Sequence, residues 1–83
     1  SMPFPAWLEH SNFEGLATLE GWQIATEATV DPTTANLSTL GQYAIYMKNN
    51  KFVIAYNNGG TMTYIRIAMD GAATTWVHNT TAP

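Results

Sequence analysis

The residues able to do acid, base or nucleophilic chemistry are few and scattered. The two histidines, His10 and His78, stand far apart, with neither an H-E-x-x-H nor an H-x-x-x-H spacing. A site built from His10, Glu9, Glu14 and His78 would need a long-range coincidence of the fold, so both read as surface histidines. Ser11 and Ser38 have no base near them in sequence, and Asp70 precedes Gly71 where a turn favours Asp on structural grounds. There is no cysteine, which removes thiol nucleophiles, zinc-thiolate sites and disulfides together. The Asn57-Asn58-Gly59-Gly60 run is glycine-rich but lies between two β-rich segments rather than ahead of a helix, so it does not read as a phosphate cradle. Asn36-Leu37-Ser38 and Asn79-Thr80-Thr81 match the glycosylation triplet, a pattern common by chance. The expectation is a protein without catalytic residues, cofactor or metal.

Two other constellations suit binding. Trp7, Trp22 and Trp76 could stack on the C–H faces of a sugar, although tryptophan in a small domain more often serves core or interface. Lys48, Lys51 and Arg66, interleaved with Tyr46 and Tyr64, have the makings of a single-strand nucleic-acid platform. Three cations in a chain of net charge −3 argue against that use.

The elements that must position these residues divide at about residue 41. The chain has 83 residues, room for one domain, of which 1–41 reads as an acidic arm and packing segment and 42–83 as an antiparallel β-meander. Only 11% of residues are charged against 46% hydrophobic, and Thr and Asn supply the polarity. No apolar run is long enough to span a bilayer, and no signal-peptide pattern opens the chain, where Ser1-Met2 reads as a cloning remnant. Glu9, Glu14, Glu20, Glu27 and Asp31 all precede the first cation, Lys48. That asymmetry suits an acidic segment meeting a basic sheet surface, in its own chain or in a neighbour.

Within the first part, Pro3 and Pro5 make an arm. Ser11-Asn12-Phe13-Glu14 fits a capping box and predicts a short helix through Leu16 and Leu19. Alternation over Trp22–Val30 predicts a strand, and Asp31-Pro32 followed by Gly41 predicts a helical turn or two over 32–40. In the second part, residues 42–48, 51–56, 61–69 and 74–78 read as four strands, with Asn49-Asn50 and Asn58-Gly59 as two-residue turns. Those turns pair Met47 with Phe52, Ile45 with Ile54 and Tyr43 with Tyr56, then Tyr56 with Thr61, Ile54 with Thr63 and Phe52 with Ile65.

One face of this sheet then carries Tyr43, Ile45, Met47, Phe52, Ile54, Tyr56, Ile65, Ile67 and Met69 and is taken as the core, so that Ile54→Asp would abolish folding. The other carries Tyr46, Lys48, Lys51, Val53, Ala55, Met62, Tyr64 and Arg66, half apolar where water would favour polar residues. Something should cover it. The candidates are the first half of the same chain, with Trp7, Leu8 and the Glu residues, and another copy; the two are compatible.

The runs Gly41–Tyr46, Asn50–Thr61 and Tyr64–Gly71, with Thr74-Thr75-Trp76 and Thr80-Thr81-Ala82-Pro83, give residues 41–83 a Thr/Asn/Gly-rich, cysteine-free, charge-poor texture. In this the segment resembles the β-rich modules of tailed-bacteriophage virions, of tail-fibre, head-fibre or capsid-decoration type. The resemblance implies a mainly β fold and a structural or adhesive role in a virion. It also implies a homotrimer and partners among other virion proteins or a host-surface glycan; the two apolar faces of the sheet by themselves call for self-association, and without the resemblance a dimer is expected. It carries over no catalytic residue. A small carbohydrate-binding module using the tryptophans is the alternative.

Overall fold

The computed structural model describes residues 16–83, and the expected arm, capping box, Trp7 and His10 lie outside them. The fold is mainly β. Six strands form, β1 (Leu16–Leu19), β2 (Trp22–Ala25), β3 (Tyr43–Lys48), β4 (Lys51–Asn57), β5 (Met62–Ala68) and β6 (Val77–Asn79). Strands β3 to β6 make one antiparallel sheet in chain order, as the meander expectation had it, and β1 and β2 make a separate hairpin.

The β3–β4 register follows the expected pairing, from Tyr43↔Tyr56 to Lys48↔Lys51. Asn49 and Asn50 sit at φ of 50° and 61°, the left-handed conformation a two-residue hairpin loop requires and that Asn tolerates. The β4–β5 loop is longer than expected. It closes on Asn57↔Met62, so Tyr56 faces Thr63, Ile54 faces Ile65 and Phe52 faces Ile67, two residues away from the sequence-based pairing. The cause is local: Asn58 N–H donates to Thr61 O, and Gly59 and Gly60 both take positive φ, giving a four-residue loop. An even slip leaves every side chain on its expected face.

Burial of those two faces is the reverse of what the sequence predicts. Val53, Ala55 and Tyr64 are the buried hydrophobic residues, with Tyr46, Met62 and Leu37 packed against them. They lie on the face expected to be the second one. The face taken as the core is the more open of the two: Tyr43 is 63% exposed, Ile45 58% and Met69 59%, while Met47, Phe52, Ile54, Ile65 and Ile67 are half-buried. The reversal follows from what lies across the sheet. Residues 28–42, between β2 and β3, and the C-terminal tail both cross the Val53 face, as their hydrogen bonds to it below establish.

Three further expectations need correction. Leu16–Leu19 is a strand, not the end of a helix, because Glu20 and Gly21, both at positive φ, turn the chain back into β2. The strand predicted over 22–30 stops at Ala25. Of the helical turn or two predicted over 32–40, one isolated turn closes, with the Asn36 and Leu37 N–H groups both donating to Thr33 O (3.0 and 2.9 Å), but it does not extend, and the described residues contain no helix. Here Asn36 Oδ1 accepts the Thr33 N–H at 3.0 Å, Thr33 Oγ1 accepts the Ala35 N–H at 3.2 Å, and Gln42 Oε1 accepts the Thr39 N–H at 2.8 Å. Such side chains offer the backbone an alternative to a helix.

Candidate functional site

The sheet presents two surfaces that could carry function, one closed by a polar clasp and one open. On the closed face the central group is Asp31. Its carboxylate accepts the Tyr46 hydroxyl at Oδ1 (2.6 Å) and the Lys48 ammonium at Oδ2 (2.7 Å). Lys48 Nζ donates as well to Pro83 O at 2.8 Å, tying the tail to the same point. Tyr64 Oη donates to Pro32 O at 3.4 Å. At the other end Asn57 is buried, donating to Leu37 O at 2.5 Å and accepting the Gly60 N–H at 2.8 Å. Arg66 donates to Asn79 Oδ1 and, at 2.7 Å, to Thr81 O.

The electrostatics follow from this clasp. Burial, then the hydrogen bond to Asp31 and its negative charge, push the Tyr46 phenol well above its ordinary range. Burial and the Asp31 charge also raise Tyr64, against the opposing charges of Arg66 and Lys48. Neither phenol is a base near neutral pH. Lys48 donates twice inside the fold and Arg66 donates through one Nη while its Nε lies buried without an acceptor, and Lys51 Nζ lies 3.5 Å from Asn49 O in its own turn. The expected basic platform therefore becomes a set of internal ties. The acid that meets Lys48 is Asp31 of the same chain, while Glu20 stands at the β1–β2 turn. Asp31, expected to cap a helix, was missed as the partner of Lys48. The signal for it was that it is the nearest acid before Lys48 in the chain.

The open face is built in cross-strand rows. Tyr43, Tyr56 and Thr63 form one, Ile45, Ile54, Ile65 and His78 the next, and Met47, Phe52 and Ile67 the third. Trp76 stands edge-on to Phe52 at a ring-centroid distance of 6.0 Å and an interplanar angle of 82°. His78 is the one ionisable imidazole in these rows, and no Lys, Arg, Asp or Glu lies in them. Among the expected interface residues, Tyr46, Lys48, Val53, Met62, Tyr64 and Arg66 are thus gathered on the closed face. Trp76 borders the open face, Trp22 lies in the hairpin, and Lys51 sits at the β3–β4 corner.

Among the described residues no three His, Asp or Glu side chains come together as metal ligands would. No helix there is long and apolar enough to cross a membrane. No family model, no curated protein and no solved structure matches this chain.

Proposed function

We propose that this chain is a non-enzymatic structural or adhesive module of a bacteriophage virion that assembles with copies of itself, as a trimer. The observation that carries self-association is the more open sheet face, a run of Tyr, Ile, Met and Trp side chains with no Lys, Arg, Asp or Glu in its rows and a single imidazole, His78, at their β6 end. Monomeric proteins rarely leave so continuous an apolar surface to water. Symmetry makes self-assembly the least demanding way to cover it. The virion setting is supported by the Thr/Asn/Gly-rich, cysteine-free texture of residues 41–83. Light scattering at tens of micromolar checks the assembly: a trimer mass is expected, and a monomer would overturn it.

Glycan binding is a second reading, favoured by one observation. Trp22 and Trp76 are both partly open to solvent, at 63% and 46%, where tryptophans serving only as core would be hidden. A glycan array run beside a Trp76→Ala control tests it. Trp76-dependent capture of a defined glycan supports an adhesive role, and the same pattern from both proteins removes it.

A further inference from the structure

The loop between β4 and β5 holds a side chain able to react with its own backbone. Asn58 precedes Gly59, and both are exposed. Asparagine is one of the chemically labile residues. Its Cγ closes a cyclic imide when the next backbone nitrogen reaches it, an approach that a side chain on that next residue crowds and that glycine leaves clear. The bonds of this loop run from the Asn58 N–H to Thr61 O and from the Gly60 N–H to Asn57 Oδ1. The Asn58 amide and the Gly59 N–H take no part in them.

The other asparagines among the described residues lack this combination. Asn36, Asn50, Asn57 and Asn79 each engage the side chain, with the Thr33 N–H, Asp70, Leu37 O and Arg66 respectively. For Asn57 the attacking nitrogen would be that of Asn58, whose N–H is already given to Thr61 O at 2.8 Å. Asn49 is followed by Asn50, whose N–H donates to Glu27 Oε1 at 2.7 Å. An unheld amide, an unheld N–H after it and no intervening side chain meet at Asn58.

We infer that Asn58 and Gly59 form a self-modifying site whose co-reactant is water. The Gly59 nitrogen gives up its proton to solvent base and attacks Asn58 Cγ. The bond from Cγ to the side-chain nitrogen breaks, ammonia leaves with a proton taken from water, and a succinimide remains. Water then opens one of the two ring carbonyls. One opening restores the main chain and leaves aspartate; the other carries the main chain through Cβ and leaves isoaspartate. One water enters, one ammonia departs, and either product adds one negative charge to the −3 of the chain. Isoaspartate also adds a carbon to a loop that closes on Asn57↔Met62, pulling Gly60 out of line with Asn57 Oδ1. Asn57 is buried, bonds Leu37 O, and pairs its backbone with Gly41 and Gln42. The stretch that covers Val53 therefore loosens as the protein ages.

The folded chain is held for days at mildly alkaline and at mildly acidic pH, then digested with trypsin. Cleavage after Lys51 and Arg66 releases residues 52–66, which contain Asn57 and Asn58. This peptide is expected to gain the mass difference between an amide and an acid, faster at the alkaline pH, with fragmentation placing the change at position 58. Two chromatographic forms, aspartate and isoaspartate, should appear. A peptide that stays unmodified in the folded chain would overturn the inference, and so would earlier conversion of any other described asparagine. In an Asn58→Gln chain, whose longer side chain closes a ring far more slowly, the peptide should keep its mass; the same gain there would move the reaction to Asn57. The isolated isoaspartate form should melt below an Asn58→Asp chain and exchange its amides faster over residues 37–42. Equal melting and exchange would overturn the loosening of the cover.

Discussion

Val53 and Ile45 stand on neighbouring strands and differ in which side of the sheet they take. Val53 is wholly buried beneath residues 28–42, while more than half of Ile45 faces water. Ala55, equally buried on the Val53 side between Ala44 and Tyr64, has no cation opposite it, so Ala55→Asp would leave an unpaired carboxylate there, a cost of several kcal/mol that a domain with about 5 kcal/mol of stability does not survive. Ile45→Asp should leave the chain folded. Circular dichroism melts distinguish the two, and equal destabilisation would mean the faces are assigned wrongly. At the clasp, Asp31→Asn should cost about 2 kcal/mol, because it leaves the half-buried Lys48 ammonium without its counter-charge. A double-mutant cycle with Lys48→Met, read by urea unfolding, isolates that coupling. Tyr46 adds a pH limb. Its folded-state phenol lies above its unfolded value, so its contribution is fully present below about pH 10 and is lost as pH rises beyond it. Tyr46→Phe should flatten that alkaline fall in melting temperature.

At the scale of elements, the hairpins depend on backbone that few residues accept. Asn50, at φ 61°, should tolerate Gly, whereas Asn50→Ala should cost about 1 kcal/mol, measurable by chemical denaturation. These turns also explain what was legible beforehand. Asn49-Asn50 lies between two β-rich runs, so β3, β4 and their register could be read from residues alone. The Asn58-Gly59 loop could be located but not measured, since Gly60 and Thr61 were equally able to continue the turn. The choice of buried face was not legible, because alternation assigns residues to sides without ranking two sides that are both apolar. What decides it is the irregular stretch from Asp31 to Gln42, held by Thr33, Asn36 and Gln42 side chains that carry no periodic signal. For the same reason the sequence displays Lys48 and Arg66 as a cluster but not their ties to Asp31, Pro83 and Thr81.

For the whole molecule, the one-sided core limits what a single copy can hold. A four-stranded sheet covered on one face has about half the burial of a sandwich, so assembly and stability should be linked. The melting temperature is expected to rise with protein concentration over two decades, as it must when association favours the folded form. A concentration-independent melt would separate folding from assembly. Ile45→Asp should abolish the dependence while preserving a cooperative monomer transition.

The clasp at Lys48 draws on Asp31, made before the sheet, and on Pro83, made after it. The Arg66 side chain likewise draws on Asn79 and Thr81. The turns that pair β3, β4 and β5 are local and need neither end. The closed face is thus latched from both sides of the sheet in sequence, and a cut between Ala68 and Asn79 would unlatch it while the two hairpins stayed paired.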